Sequence, residues 1–158
     1  MRWAEFPGGS RIARRTDGQG QCILSPSFRT EGWLAIDGAG CAPEVIEVDS
    51  LASVKELRLQ LEPAVNAEIA VMDAKGIPAS RVRVELRFEL NGHATVRSGV
   101  TSRRGVATLR RLPVGCEIFP LVEPKEGAAP HRFGAVRFNR EQASGGSQEG
   151  PRIELRLP

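Results

Sequence analysis

The sequence predicts an all-β protein of two tandem antiparallel β-sandwiches, the first of them incomplete, and three observations support this. The segment "SRVRVELRFEL", residues 80–90, alternates apolar and charged side chains with a period of two. The hairpin signal Asn91-Gly92 follows directly, because a tight turn needs residues that tolerate positive φ. The stretch "TSRRGVATLRRLPVG" from Thr101 repeats the plan of "TDGQGQCILSPSFRTEG", which begins 85 residues earlier at Thr16.

The second copy, residues 63–158, is predicted to be a complete sandwich of about seven strands with no helix. In the alternating segment a period of two places five apolar side chains on one buried face and leaves Arg83, Glu85 and Arg87 in solvent. The buried face is Val82, Val84, Leu86, Phe88 and Leu90. The other predicted strands are "AEIAVMD", "ATVRSGV", "VATL", "CEIFPLV" (bent by Pro120), "AVRF" and "RIELRL".

The first copy, residues 1–62, repeats the later part of that plan, and the boundary is predicted near Pro63. In it "QCIL" matches "VATL", "GWLAID" matches "GCEIFP", "EVIEV" matches "AVRF" and "VKELRLQL" matches "RIELRL". No segment before them matches the opening strand "AEIAVMDAKGIP". An absent opening strand exposes an unpaired edge, which "MRWAEFPGG", another chain or residues upstream of Met1 would have to cover. We expect the third case, in which the chain is a fragment of a longer protein.

Charge and cysteine content narrow the classes of partner. The 22 Lys and Arg outnumber the 19 Asp and Glu, but Arg104 and Arg110 lie roughly 20 Å apart on one strand and no aromatic residues stand between them. Nucleic-acid binding is therefore not expected.

Cys22, Cys41 and Cys116 are expected to be free, buried apolar side chains, with a Cys22–Cys41 disulfide as the alternative in an oxidising compartment. No apolar run is long enough to span a membrane, and the N-terminus lacks the apolar core of a signal peptide.

Several turns resemble those of carboxypeptidase regulatory-like domains, which have a prealbumin-like (transthyretin-like) sandwich. In "AVMDAKGIPASRVRVEL" a strand ends in Asp-x-x-Gly-x-Pro, and "TSRRG", "LPVG" and "TDGQG" resemble the family's Thr-Asp-x-x-Gly turn and Leu-Pro-x-Gly loop. The stretch "EGWLAIDGAGCAP" resembles the family's Gly-aromatic pattern, in which Trp33 fits, but Cys41 stands where the family usually has an aromatic residue. Short polar side chains and glycines of this kind make turns. The predicted turn residues are Asp17, Gly20, Asp73, Gly76, Pro78, Gly105 and Gly115.

The resemblance implies a non-catalytic module of a larger secreted or surface protein, with an extracellular, surface or periplasmic location if the N-terminus is truncated. Related sandwiches do include enzymes. The hydrolases among them end in a Tyr-Arg-Gly-Ser motif, and the intradiol dioxygenases hold iron with two Tyr and two His, whereas this chain has no Tyr. We therefore expect no catalytic residue, metal or cofactor.

Binding residues are harder to assign, because the chain has only 6 Phe and 2 Trp as aromatic residues. His93 and His131 have no nucleophile or ligand-spaced partner beside them in the sequence. Trp33 and Trp3 are the candidates for a sugar-stacking platform, with a core position as the alternative for Trp33. The sequence thus predicts a structural spacer or protein-interaction domain, whose partners are other domains of its parent protein or another protein. A carbohydrate-binding module is the alternative.

Overall fold

The computed structural model describes residues 16–23, 33–38, 40–47, 56–124, 129–144 and 150–158. The chain divides into two compact units, Met1–Leu34 with Ile46–Leu59, and Ala35–Val45 with Gln60–Pro158. Two short strands, β1 (Trp33–Ile36) and β2 (Glu44–Glu47), pair in a two-stranded sheet. The remaining strands all lie within the second unit.

Among the described residues after Pro63 there are seven strands and one short helix, and the strands form two sheets. The three-stranded sheet has the order β6-β3-β9, and the four-stranded sheet has the order β5-β4-β7-β8. The elements are β3 (Val65–Met72), β4 (Arg83–Leu90), β5 (His93–Val100), β6 (Val106–Leu112), β7 (Ile118–Glu123), β8 (His131–Arg132), α1 (Arg140–Ser144) and β9 (Arg152–Arg156).

The hydrophobic core lies between these two sheets, since each contributes one face to a single cluster of buried side chains. From β4 the cluster takes Val84, Leu86 and Phe88, which the period of two assigned to the inner face, while Leu90 is half-buried. The all-β class is confirmed. The apolar side chains of β3 that join the cluster are Val65, Ala67, Ile69 and Val71.

The pairing differs from the expected antiparallel pattern at one place. β9 runs parallel to β3, with Ile69 opposite Ile153, whereas the other pairs of these two sheets are antiparallel. A parallel pair needs a long crossover, and all the residues between β3 and β9 supply it.

A β-bulge interrupts the pairing of β3 with β6. Val65 lies opposite Leu112 and Ala67 opposite Leu109, so Asn66 faces two residues of β6. Arg111 takes the left-handed conformation there with φ 59°, and its N–H donates to Asn66 Oδ1 at 3.2 Å. The side chain of Asn66 thus replaces the ladder bond that the bulge removes.

Some of the predicted elements of the second copy have other bounds or other partners. "AVRF" contributes only one bridge, Val136 to Ile118, and the preceding segment supplies the two-residue strand β8 instead. Helix α1 was not predicted, and it begins at a reciprocal cap in which Asn139 Oδ1 accepts the Gln142 N–H at 3.0 Å and Gln142 Oε1 accepts the Asn139 N–H at 2.7 Å. A capped single turn is too short to produce a helical period in the sequence.

Two strands predicted in the first copy are absent from the described residues. Residues 21–23 of "QCIL" and residues 56–61 of "VKELRLQL" carry no strand, and Ile23 is 89% exposed. The exposed Ile23 side chain packs on no second sheet, and a strand at this segment would need a neighbouring strand to bond its N–H and C=O groups. Whether residues 1–62 complete a first sandwich, and whether the boundary lies at Pro63, both stay predictions.

Candidate functional site

The candidate site is the outer face of the four-stranded sheet, which turns away from the core. Residues directly opposite in the β4–β5 and β4–β7 pairs share a face, so the outer face can be assigned from the registers. Exposed apolar side chains lie on both sides of the charged strand β4. They are Val96, Val100 and Phe119, which are 39%, 63% and 48% exposed.

A fixed ion ladder runs along β4 in the middle of this face. Glu85 Oε1 lies 2.9 Å from Arg83 Nη2, and Glu85 Oε2 lies 2.8 Å from Arg87 Nη2. Both arginine side chains are about half exposed, at 55% and 50%, whereas the glutamate side chain is only 8% exposed. The prediction that Glu85 is exposed is therefore wrong, because side chains two residues apart on a strand meet, and the two long arginines close over the shorter glutamate.

This arrangement sets the charge of the ladder. Burial opposes ionisation of Glu85, but hydrogen bonds and Coulombic attraction from Arg87 and Arg83 outweigh burial, so the pKa of the carboxyl lies below its ordinary value. The ladder therefore carries two cations and one anion at neutral pH. Its guanidinium groups are held in place by Glu85 and can meet a partner with little further loss of side-chain entropy.

An open groove of about 650 Å³ lies beside the ladder at the end of the sheet that carries the Asn91-Gly92 turn. Phe119 and Arg87 line it, together with Glu117 and Arg137, whose side chains form an ion pair at 3.5 Å. An exposed aromatic ring between charged groups can contact an apolar or a planar ligand surface. Phe119 was not predicted as a site residue, although the alternation of "CEIFPLV" places its side chain on the other face of the strand from the buried Ile118 and Pro120.

The chemistry available around this groove is limited. Burial raises the pKa of the Cys116 thiol, although a backbone hydrogen bond and Arg137 partly oppose the rise. A thiol with a raised pKa is a weak nucleophile at neutral pH, since the thiolate is the reactive form. Among the described residues no three His, Cys, Asp or Glu side chains come together in a way that could hold a metal ion.

The structure tests the predictions for the cysteines, whereas the tryptophan side chains are not described. All three cysteines are free, but Cys22 is exposed and Cys41 and Cys116 are only half-buried, so the expectation that they are buried is wrong. Cys22 follows a solvent-exposed turn and is not part of a strand in the described residues, so no sheet covers it. Trp33 begins β1, and its side chain is not among those described. Trp3 lies outside the described residues.

Three of the predicted turn segments share one hydrogen-bonding pattern. In the turn at Asp73, Oδ1 accepts the N–H groups of Lys75 and Ile77, both at 2.9 Å, and Gly76 has φ 78°. The turn at Asp17 repeats these bonds, with Gly20 at φ 79°. In the third, Ser102 Oγ accepts the Arg104 N–H at 3.3 Å and Gly105 has φ 71°. Gly115, in the "LPVG" loop, has φ 78° as well.

Two of these turns interlock at the end of the sandwich. Gly105 lies against Pro78 so closely that a Cβ built on it would be 2.8 Å from the Cβ of Pro78. Thr101 is buried, and its Oγ1 accepts the Val82 N–H at 2.9 Å and donates to the Ala79 carbonyl at 2.7 Å. The two motifs therefore stabilise each other, and their residues have a structural explanation that requires no ligand.

Comparisons with known proteins assign no family to this chain. No family model matches the chain, and no curated protein matches it. Among solved structures, the chain is similar to the crystal structure of a 9R-lipoxygenase from Cyanothece PCC8801, with 12% sequence identity and a TM-score of 0.37. The match covers 66% of this chain and 18% of the lipoxygenase chain. The matched region is thus less than a fifth of that lipoxygenase. No helix among the described residues has the length and hydropathy of a membrane span.

Proposed function

We propose that this chain is a non-enzymatic β-sandwich module of a larger protein, and that it acts as a spacer or protein-interaction domain. The observation that carries the proposal is the outer face of the four-stranded sheet, where Val96, Val100 and Phe119 are exposed beside the fixed ladder of Arg83, Glu85 and Arg87. Exposed apolar and aromatic side chains next to ordered arginines are characteristic of protein-binding surfaces.

The turn chemistry supports the non-enzymatic part of the proposal. Asp73, Gly76, Thr101 and Gly105 are used for backbone hydrogen bonds and close packing. The resemblance of these turns to carboxypeptidase regulatory-like domains remains part of the proposal, since it rests on the residues alone. The raised pKa of Cys116 argues against a thiolate nucleophile at the groove.

A site-specific photo-crosslinking experiment in the native host tests the interaction role. A benzoylphenylalanine is placed at Phe119 or at Val96, and the matched control is Thr108, which is exposed on the three-stranded sheet. We expect a discrete crosslinked product, identified by mass spectrometry, from the first two positions and none from the third. Equal labelling at all three positions, or none at any, would contradict an interaction face and leave the spacer role.

A carbohydrate-binding module is the second candidate, and the observation that favours it is Phe119, 48% exposed in an open groove with Arg87 and Glu117. Sugars stack on exposed rings and hydrogen-bond to polar neighbours. A glycan array followed by titration tests it, with Phe119→Ala, Trp33→Ala and Trp3→Ala as variants. Saturable binding that a folded aromatic variant loses would favour this function over protein interaction.

A further inference from the structure

β5 presents a free strand edge, and the registers show which of its groups are free. The Thr101 N–H donates to the Val82 carbonyl at 2.9 Å, and the pairing then continues without a shift to Leu90 opposite His93 at the hairpin turn. Hydrogen-bonded and non-hydrogen-bonded pairs alternate in an antiparallel ladder. The N–H and C=O groups that point away from β4 are therefore those of Ala94, Val96, Ser98 and Val100.

No strand in the described part of the chain pairs with this edge. β5 ends its sheet, and none of those four residues has a hydrogen bond to a described residue on the outward side. Val96 and Val100 are also exposed on the outer face. An eight-residue strand that no other described strand pairs on one side is a template for one more strand.

Arg97 gives this edge a charge preference. It lies opposite Leu86 and so shares the inner face, and its Nε is buried without a hydrogen-bond partner in the described part of the chain. No described acidic residue forms an ion pair with it. Arg97 as a whole is half-buried, and a buried N–H group without a partner is costly, so a carboxylate placed beside this guanidinium would be favourable.

The same residue disfavours a second copy of this chain. β5 has no acidic residue, and an antiparallel pairing of two β5 strands places the two Arg97 residues opposite or nearly opposite each other. An inward charge on an edge strand is a known protection against pairing with an unsuitable strand. Arg97 therefore selects the charge of the strand that can be added.

We propose that the edge of β5 binds, by strand addition, an extended segment of another domain or protein that carries an Asp or Glu opposite Arg97. The segment has apolar residues on the face that it shares with Val96 and Val100. Main-chain hydrogen bonds provide the affinity, and the ion pair with Arg97 provides the selectivity. This rests on the proposed interaction function and names the chemistry of the partner.

Two capped nine-residue peptides test the proposal, both alternating Thr and Val, one with Glu and the other with Lys at the central inward position. Each is titrated into the ¹⁵N-labelled protein. With the Glu peptide we expect amide exchange to slow at least tenfold at Val96 and Ser98 and to stay unchanged at Arg97 and Gly99, whose N–H groups already bond β4. We expect the Lys peptide to bind at least tenfold more weakly, and Arg97→Glu to reverse that preference.

Equal affinity for the two peptides, or slowed exchange without the alternation, would overturn the proposal. These two results come from the unaltered protein, so they stand even if Arg97→Glu fails to fold. No binding of either peptide would likewise reject the edge as a docking site and leave Arg97 as a guard against strand pairing. If crosslinks from Phe119 still identify a partner, the interaction function survives and only the strand-addition mode fails.

Discussion

Replacing Gly105 with alanine should destabilise the sandwich far more than the same change at Gly76, although both glycines close turns of the same type. Both residues have a left-handed backbone, with φ 71° and 78°. Alanine in that conformation costs about 1 kcal/mol at either site. Gly76 has nothing within 4 Å of an added Cβ, so we expect no further cost there.

At Gly105 the new methyl group has no room. Its Cβ would lie 2.8 Å from both the Pro78 Cβ and the Val71 carbonyl oxygen. Moving Gly105 away would weaken the 2.8 Å hydrogen bond that its own carbonyl accepts from the Val71 N–H. Overpacking of this kind adds about 1–3 kcal/mol, so we expect a total loss of about 2–4 kcal/mol for Gly105→Ala.

Urea unfolding followed by far-ultraviolet circular dichroism measures both variants against the unaltered protein. The same measurement on Gly105→Ala combined with Pro78→Gly tests the cause, because removing the Pro78 ring should recover part of the loss. If the two alanine variants lose the same unfolding free energy to within about 0.5 kcal/mol, the packing of Gly105 against Pro78 has no energetic effect and the interlocked turns are refuted.

Three further predictions concern the sandwich. Leu86→Ala should cost about 2–5 kcal/mol of unfolding free energy, because Leu86 is fully buried, whereas Arg83→Ala should cost less than about 1 kcal/mol. If urea unfolding gives similar losses for the two variants, the assignment of the inner and outer faces of β4 is wrong. Thr101→Val should cost about 1–3 kcal/mol of unfolding free energy, since it leaves the Val82 N–H and the Ala79 carbonyl without their partner. A melting temperature equal to that of the unaltered protein would show that water replaces the hydroxyl. Because the folded-state pKa of Glu85 is lowered, the unfolded chain takes up its proton first on acidification, so stability falls as the pH drops below about 5. Glu85→Gln should flatten that fall in melts between about pH 5 and pH 3, and an unchanged slope would assign it to other carboxyls.

The sequence by itself determined the elements whose rules are local. A period of two assigns the inner side chains of β4, because successive side chains of any strand point to opposite faces. Asn91-Gly92 forms the β4–β5 turn with φ 48° and 82°, conformations that few other residue pairs accept. Short strand-like runs between turn signals, with the alternation of residues 80–90 as the clearest, were sufficient to predict the all-β class.

Only the tertiary structure decided what depends on neighbours distant in the chain. Glu85 follows the polar alternation, yet it is buried, because two arginines close over it. Phe119 was not selected as a site residue, since alternation separates two faces of a strand without telling which aromatic ring stays uncovered. Gly105 needs glycine because Pro78, 27 positions away in the sequence, packs on it, and no local propensity contains that contact.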